Sequence, residues 1–100
     1  MNVVFKTKKL SNLYYEKIKG KQKFSKEVLL QYKKKVRILL KIKSIKELYD
    51  YKGLHFEKLK GDRKEERSIK LNDQYRLIYI PLKEDEIDIL KITEISKHYE

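Results

Sequence analysis

The 100-residue sequence has no cysteine, one proline, three glycines and two histidines. Without cysteine there is no disulfide framework, no thiolate zinc site and no thiol nucleophile, a composition that suits a reducing cytosol. Three glycines form no phosphate-cradling loop of the P-loop or dinucleotide-binding kind, and no serine stands in a nucleophile elbow. His55 and His98 have no third ligand at a recognisable spacing, and the carboxylates are scattered or set beside Lys and Arg, so neither a metal site nor a cofactor is expected. The opening "MNVVFKTKKL" lacks the apolar stretch of a secretory signal, and no apolar run approaches the roughly 20 residues that cross a bilayer. The chain therefore reads as one soluble, cytoplasmic domain with no membrane partner.

Acidic residues are scarce in one half only. Residues 1–43 hold 14 basic residues against two acids, Glu16 and Glu27, a balance of +12, whereas residues 44–100 hold 12 basic and 13 acidic residues, a balance of −1. A uniformly lysine-rich composition would raise both halves. A polarised one points to an acidic partner on one side of the surface, most commonly nucleic acid. Lys17, Lys19, Lys33, Lys34 and Arg37 are the candidate phosphate contacts of that half.

Val3, Val4 and Phe5 favour a short first strand. Leu10, Leu13, Tyr14 and Ile18 recur at helical spacing over Lys8–Lys19, with Gly20 placed to end that helix. Ser25 is the N-cap of a second helix, with Phe24 able to staple onto Leu29, and its apolar stripe runs through Val28, Leu29, Tyr32, Val36, Leu39 and Leu40. "SIKE" at Ser44–Glu47 has the form of a capping box for a short third helix ending near Gly53. Ile69 and Leu71 then alternate with Lys70 in a strand, and Asn72-Asp73 makes a tight turn. A second strand follows from Gln74 to Ile80, where Pro81 is expected to limit pairing. "KEDE" at Lys83–Glu86 turns into a last strand, Ile87–Ile95, apolar on both faces and so interior. The order β-α-α-(short α)-β-β-β predicts an α+β domain. Two to three helices lie on one face of a small, mainly antiparallel sheet, leaving the other face open.

Residues 59–80, "LKGDRKEERSIKLNDQYRLIYI", crowd charge beside the most strand-like sequence in the chain. What the composition leaves is acid/base chemistry by His, Lys, Arg and Tyr. Such groups suit RNA cleavage, in which the ribose 2′-OH attacks its own phosphate and cations stabilise the crowded phosphorane. The bland reading of the same residues is surface ion pairs and a frayed C-terminus. Arg76 would in that case pair with Asp62 or Glu94.

"LKGDR", "SIKLNDQYRLIY" and the closing "ITEISKHYE" resemble the signature of HigB toxins of the RelE/ParE superfamily, by motif over residues 54–100 and by element order before that. The resemblance implies a RelE-like fold and a cytosolic toxin of a type II toxin-antitoxin system. Such a toxin enters the ribosomal A site, cleaves mRNA there without metal, and is silenced by a cognate helix-turn-helix antitoxin of the HigA type. By motif, Lys60 and Arg76 would hold the scissile phosphate, His55 and His98 would serve as acid and base, and Tyr99 would stack on a base or orient a neighbour. Lys58, Arg63, Arg67 and Lys97 join the candidate RNA contacts. Two alternatives stay open: a ParE-like gyrase inhibitor with the same fold, and an RNA- or ribosome-binding module without catalysis.

Overall fold

A computed structural model of the chain describes residues 1–16, 22–54 and 57–97. Strand β1 (Asn2–Phe5) leads into α1 (Lys8–Tyr15), α2 (Lys26–Lys41) and α3 (Ile45–Tyr49), and the strands β2 (Glu57–Lys58), β3 (Arg67–Lys70), β4 (Tyr75–Glu84) and β5 (Ile87–Lys97) follow. Single 3₁₀ turns lie at Lys52–Leu54 and Gly61–Arg63. The strands form one sheet in the order β1-β5-β4-β3-β2. β2 through β5 pair antiparallel, whereas β1 runs parallel to β5.

Side-chain oxygens cap the helices and fix where each begins. Thr7 Oγ1 accepts from Leu10 N at 3.2 Å, Ser25 Oγ from Val28 N at 3.2 Å, and Ser44 Oγ from Glu47 N at 3.2 Å, each satisfying a first-turn N–H without an intrahelical partner. Glu47 reaches back as the capping box predicts, but to Lys43 N at 2.9 Å. The first helix is seen from Lys8 to Tyr15, and the remainder of its predicted span lies outside the described residues.

One core lies between the helices and the sheet. Leu10 and Leu13 of α1, Val28, Leu29, Tyr32, Val36 and Leu39 of α2 and Leu48 of α3 pack with Ile69, Leu77, Tyr79, Leu90 and Ile92. These strand residues share one face, so Ser68, Arg76 and Ile78 belong to the other. Pro81 does not limit the pairing. β4 continues to Glu84, with Pro81 opposite Leu90. β3 reaches only to Tyr79, so at Pro81 the side of β4 facing away from β5 has no partner strand and a missing N–H there is tolerated. The turn after β4 is formed by Asp85 and Glu86, both at positive φ (48° and 67°), as a tight hairpin requires.

Burial raises the phenol of Tyr32, and burial followed by the nearby Tyr49 raises that of Tyr79, both far above the ordinary 10.0. The fold favours the neutral form, so this stabilisation is complete below pH 10 and is lost as ionisation in the unfolded chain begins. Urea midpoints followed by circular dichroism should fall between pH 9.5 and 11, on the order of 1 kcal/mol per phenol for each pH unit above 10. Changing both tyrosines to Phe should flatten that slope.

Candidate functional site

On the open face, strand register places the polar residues in two rows. Lys70, Arg76 and Ser96 lie side by side across β3, β4 and β5, and Glu57, Ser68, Ile78 and Glu94 form the adjacent row. The second row exists because β5 carries a bulge: Ile78 faces Glu94 but Tyr79 faces Ile92, leaving Thr93 as the extra residue. A cleft of about 280 Å³ opens here, lined by Leu59, Arg63, Ser68, Arg76, Ile78, Ser96 and Lys97.

Arg76 is the cleft's buried cation, 9% exposed. Its Nε donates to Ser68 Oγ at 2.7 Å and lies 3.9 Å from Glu57 Oε2, which fixes the plane of the guanidinium. Loss of hydration lowers its proton affinity, and Glu57 partly restores it. A guanidinium held in this way binds an anion with little loss of side-chain freedom.

Arg63 stands at the rim, at the end of the Gly61–Arg63 turn. Nε and one terminal nitrogen donate to the two oxygens of Glu66 at 2.7 and 2.8 Å, and the same nitrogen also donates to Glu94 across the sheet. The hydrogen bond from Arg63 holds Glu66 below the usual carboxylate range, and Glu66 in turn pushes the guanidinium above its own. Gly61 sits at φ +67°, while an added Cβ would meet nothing within 4 Å. The backbone angle of the "KGD" turn, rather than crowding, favours glycine there.

The structure brings together only some of the residues expected from sequence. Arg76, Arg63 and Lys97 share the cleft. Lys60, next to the lining residue Leu59, is exposed at the start of the 3₁₀ turn, and Lys58 is exposed on β2. Arg67 lies opposite Tyr79, on the core side of β3, and its NH1 donates to the carbonyls of Lys64 and Glu66 at 2.8 and 3.0 Å. Its Nε is buried without a hydrogen-bond partner among the described residues. Lys33, Lys34 and Arg37 lie on α2, in the helical layer on the far side of the sheet from the cleft, with Lys33 Nζ donating to Glu16 O at 3.4 Å. His55, His98, Tyr99, Lys17 and Lys19 lie outside the described residues. Among those described, no group of three or more His, Asp or Glu side chains could hold a metal ion.

Ser68, Ser96 and Glu57 carry no signal of their own in the sequence, and Glu94 stands out there only as an ion-pair partner for Arg76; in the structure it pairs with Arg63. Ser68 could have been found by counting back across the Asn72 turn, where Asn72 Oδ1 accepts from Gln74 N and Tyr75 N at 2.9 and 2.7 Å and sets the register. Ser96 and Glu94 are hidden by the bulge.

The structure is similar to a YoeB/ParE toxin from Agrobacterium tumefaciens, with TM-score 0.59 and 15% identity over 99% of this chain and 100% of that one. It is similar also to a YoeB dimer from Staphylococcus aureus, with TM-score 0.54 and 22% identity over 99% of this chain and 98% of that one. These likenesses give the class by fold: a small α+β domain of the RelE type. Among curated proteins, none matches the sequence. Residues 3–92 match the family of RelE-like toxins of the type II toxin-antitoxin system HigB, and the chain belongs to that family.

Proposed function

We propose that the chain is a ribosome-dependent mRNA endonuclease that acts in the cytoplasm by metal-independent attack of a ribose 2′-OH on the adjacent phosphate. The observation that carries this reading is Arg76, a desolvated guanidinium fixed by Ser68 in a cleft shared with Arg63 and Lys97. A phosphorane gains negative charge on its equatorial oxygens, and preorganised donors in a water-poor cleft stabilise it more than the starting phosphodiester. Ser68 and Ser96 add hydroxyls able to position phosphate or ribose oxygens. Lys60 supplies an exposed cation next to the lining residue Leu59. By family resemblance, His55 and His98 exchange the protons and Tyr99 stacks on a base or orients a neighbour. The antitoxin of the pair would be a helix-turn-helix protein of the HigA type.

Cell-free translation with primer-extension mapping tests the reading. Breaks within translated codons are expected only when ribosomes are present. Intact mRNA with translation unimpaired overturns it, cleavage of DNA trapped on gyrase transfers the protein to the ParE mode, and arrested translation with intact mRNA leaves a binding module.

Ribosome binding is assigned to the helical layer. Reversing Lys33, Lys34 and Arg37 to Glu should weaken association and reduce the slope of log affinity against log salt by about two to three, because each phosphate contact contributes about 0.7 to 0.9. Sedimentation with ribosomes at several salt concentrations measures it, and an unchanged slope removes these residues from the interface.

A further inference from the structure

Lys33, Arg37 and Lys41 follow one another along α2 at four-residue steps, about 6 Å apart along the axis, and so form one column of like charge on the helix surface. Lys33 Nζ donates to Glu16 O. The side chains of Arg37 and Lys41 have neither an ion pair nor a hydrogen bond among the described residues. Like charges at this spacing weaken a helix, and an anion shared between them reverses the effect.

The column ends in a cavity of about 240 Å³ between α2 and the end of α3, lined by Arg37, Ile38, Lys41, Ile42, Glu47 and Tyr51. Ile42 is buried and Ile38 packs half-buried against the core, so these two close its inner side. Tyr51 is 45% exposed and stands on the outer side, and its N–H donates to Leu48 O at 3.1 Å, which ties the start of the side chain to the last turn of α3. The one carboxylate of the lining, Glu47, already accepts from Lys43 N at 2.9 Å. Two cations face this single acid, and the charge left over is positive.

We propose that this cavity takes one unstacked nucleotide of an RNA strand, with its base against Tyr51 above Ile38 and Ile42 and its phosphate on Arg37 and Lys41. A nucleotide uses all three features at once: the aromatic ring for the base, the apolar floor beneath it and the paired cations for the phosphate. A carboxylate of an acidic protein answers the cations but leaves Tyr51 and the isoleucines uncovered, and an RNA duplex offers phosphates while keeping its bases stacked inside. The inference rests on the reading that the helical layer meets ribosomal RNA, and it narrows that reading from phosphates alone to an unpaired nucleotide. The cavity lies in the opposite layer from the Arg76 cleft, so its occupant is not the phosphate being cut.

Titration of the ¹⁵N-labelled chain with hexaadenylate, followed by amide resonances, tests it. The amides of Ile38, Lys41, Ile42 and Tyr51 should shift together. Tyr51→Ala should weaken the binding they report at least about fivefold and Tyr51→Phe less than about twofold, with both thermal midpoints at the parental value. In ribosome sedimentation Tyr51→Ala should lower affinity at an unchanged salt slope, because no phosphate contact is lost, whereas reversing Lys33, Lys34 and Arg37 reduces the slope. A reduced slope in the triple variant with parental affinity in Tyr51→Ala overturns the nucleotide site and leaves ribosome binding standing. Inorganic phosphate that shifts the same amides at equal affinity overturns it in favour of a bare anion contact, and adenosine monophosphate that binds as tightly as hexaadenylate overturns the RNA strand. Shifts confined to the Arg76 row overturn the placement.

Discussion

Changing Arg76 to Ala should reduce ribosome-dependent mRNA cleavage by about 10²–10³-fold, the usual effect of removing one preorganised donor from a developing oxyanion. The expectation follows from where the side chain is held. It is 9% exposed, oriented by Ser68, and faces the cleft from β4. Truncation also leaves the fully buried Ser68 hydroxyl without this partner, at a cost of about 1–3 kcal/mol. Activity must therefore be read beside a urea midpoint, at a temperature where the variant is folded. Arg76→Lys separates the two effects: it keeps a charge, loses the planar fork, and should retain only part of the rate. Cleavage by a folded Arg76→Ala protein at the parental rate would move the chemistry away from this row.

Tyr32→Ala should be among the most damaging substitutions for stability, at about 3–5 kcal/mol, the range for deleting a buried aromatic side chain. Tyr32 is 0% exposed at the middle of the core, and its hydroxyl donates to Leu10 O at 2.7 Å, 22 residues away, tying α2 to α1. Domains of this kind have about 5–15 kcal/mol in total, so the variant would lose a large part of its margin. Tyr32→Phe should cost only about 1–2 kcal/mol, because the ring still fills its space and only the buried carbonyl of Leu10 loses its donor. Equal midpoints for the two variants in urea would mean that the hydrogen bond, not the ring, holds the helices together.

Local chemistry made much of the fold legible. Ser25 and Ser44 mark helix starts because a side-chain oxygen must satisfy first-turn N–H groups, and Asn72 marks a hairpin because its amide oxygen takes two backbone donors. Alternation in "YRLIY" sets Arg76 opposite Tyr75, Leu77 and Tyr79, on the open face. Pro81 misled because its effect depends on whether a strand flanks it there, which is a property of the sheet. β2, two residues long, is too short to carry a period. The C-terminal wall of the cleft was illegible for a sharper reason. Counting from the Asp85-Glu86 turn without the bulge at Thr93 sets Ile95 opposite Arg76 and sends Glu94 and Ser96 to the helix side. One unpaired residue exchanges the faces of everything beyond it.

The parallel pairing of β1 with β5 has a consequence in time. Asn2 and Ile89 stand at almost opposite ends of the sequence, so their pairing closes the longest loop in the sheet, and such contacts form late and slowly. β5 also carries Ser96 and Lys97. During synthesis the helices and the β3–β4 hairpin can emerge and collapse first, but neither the sheet nor the cleft is complete until residues through Lys97 have left the exit tunnel. The cleft is thus completed only with the emergence of β5, after the helices and the β3–β4 hairpin are already outside the tunnel.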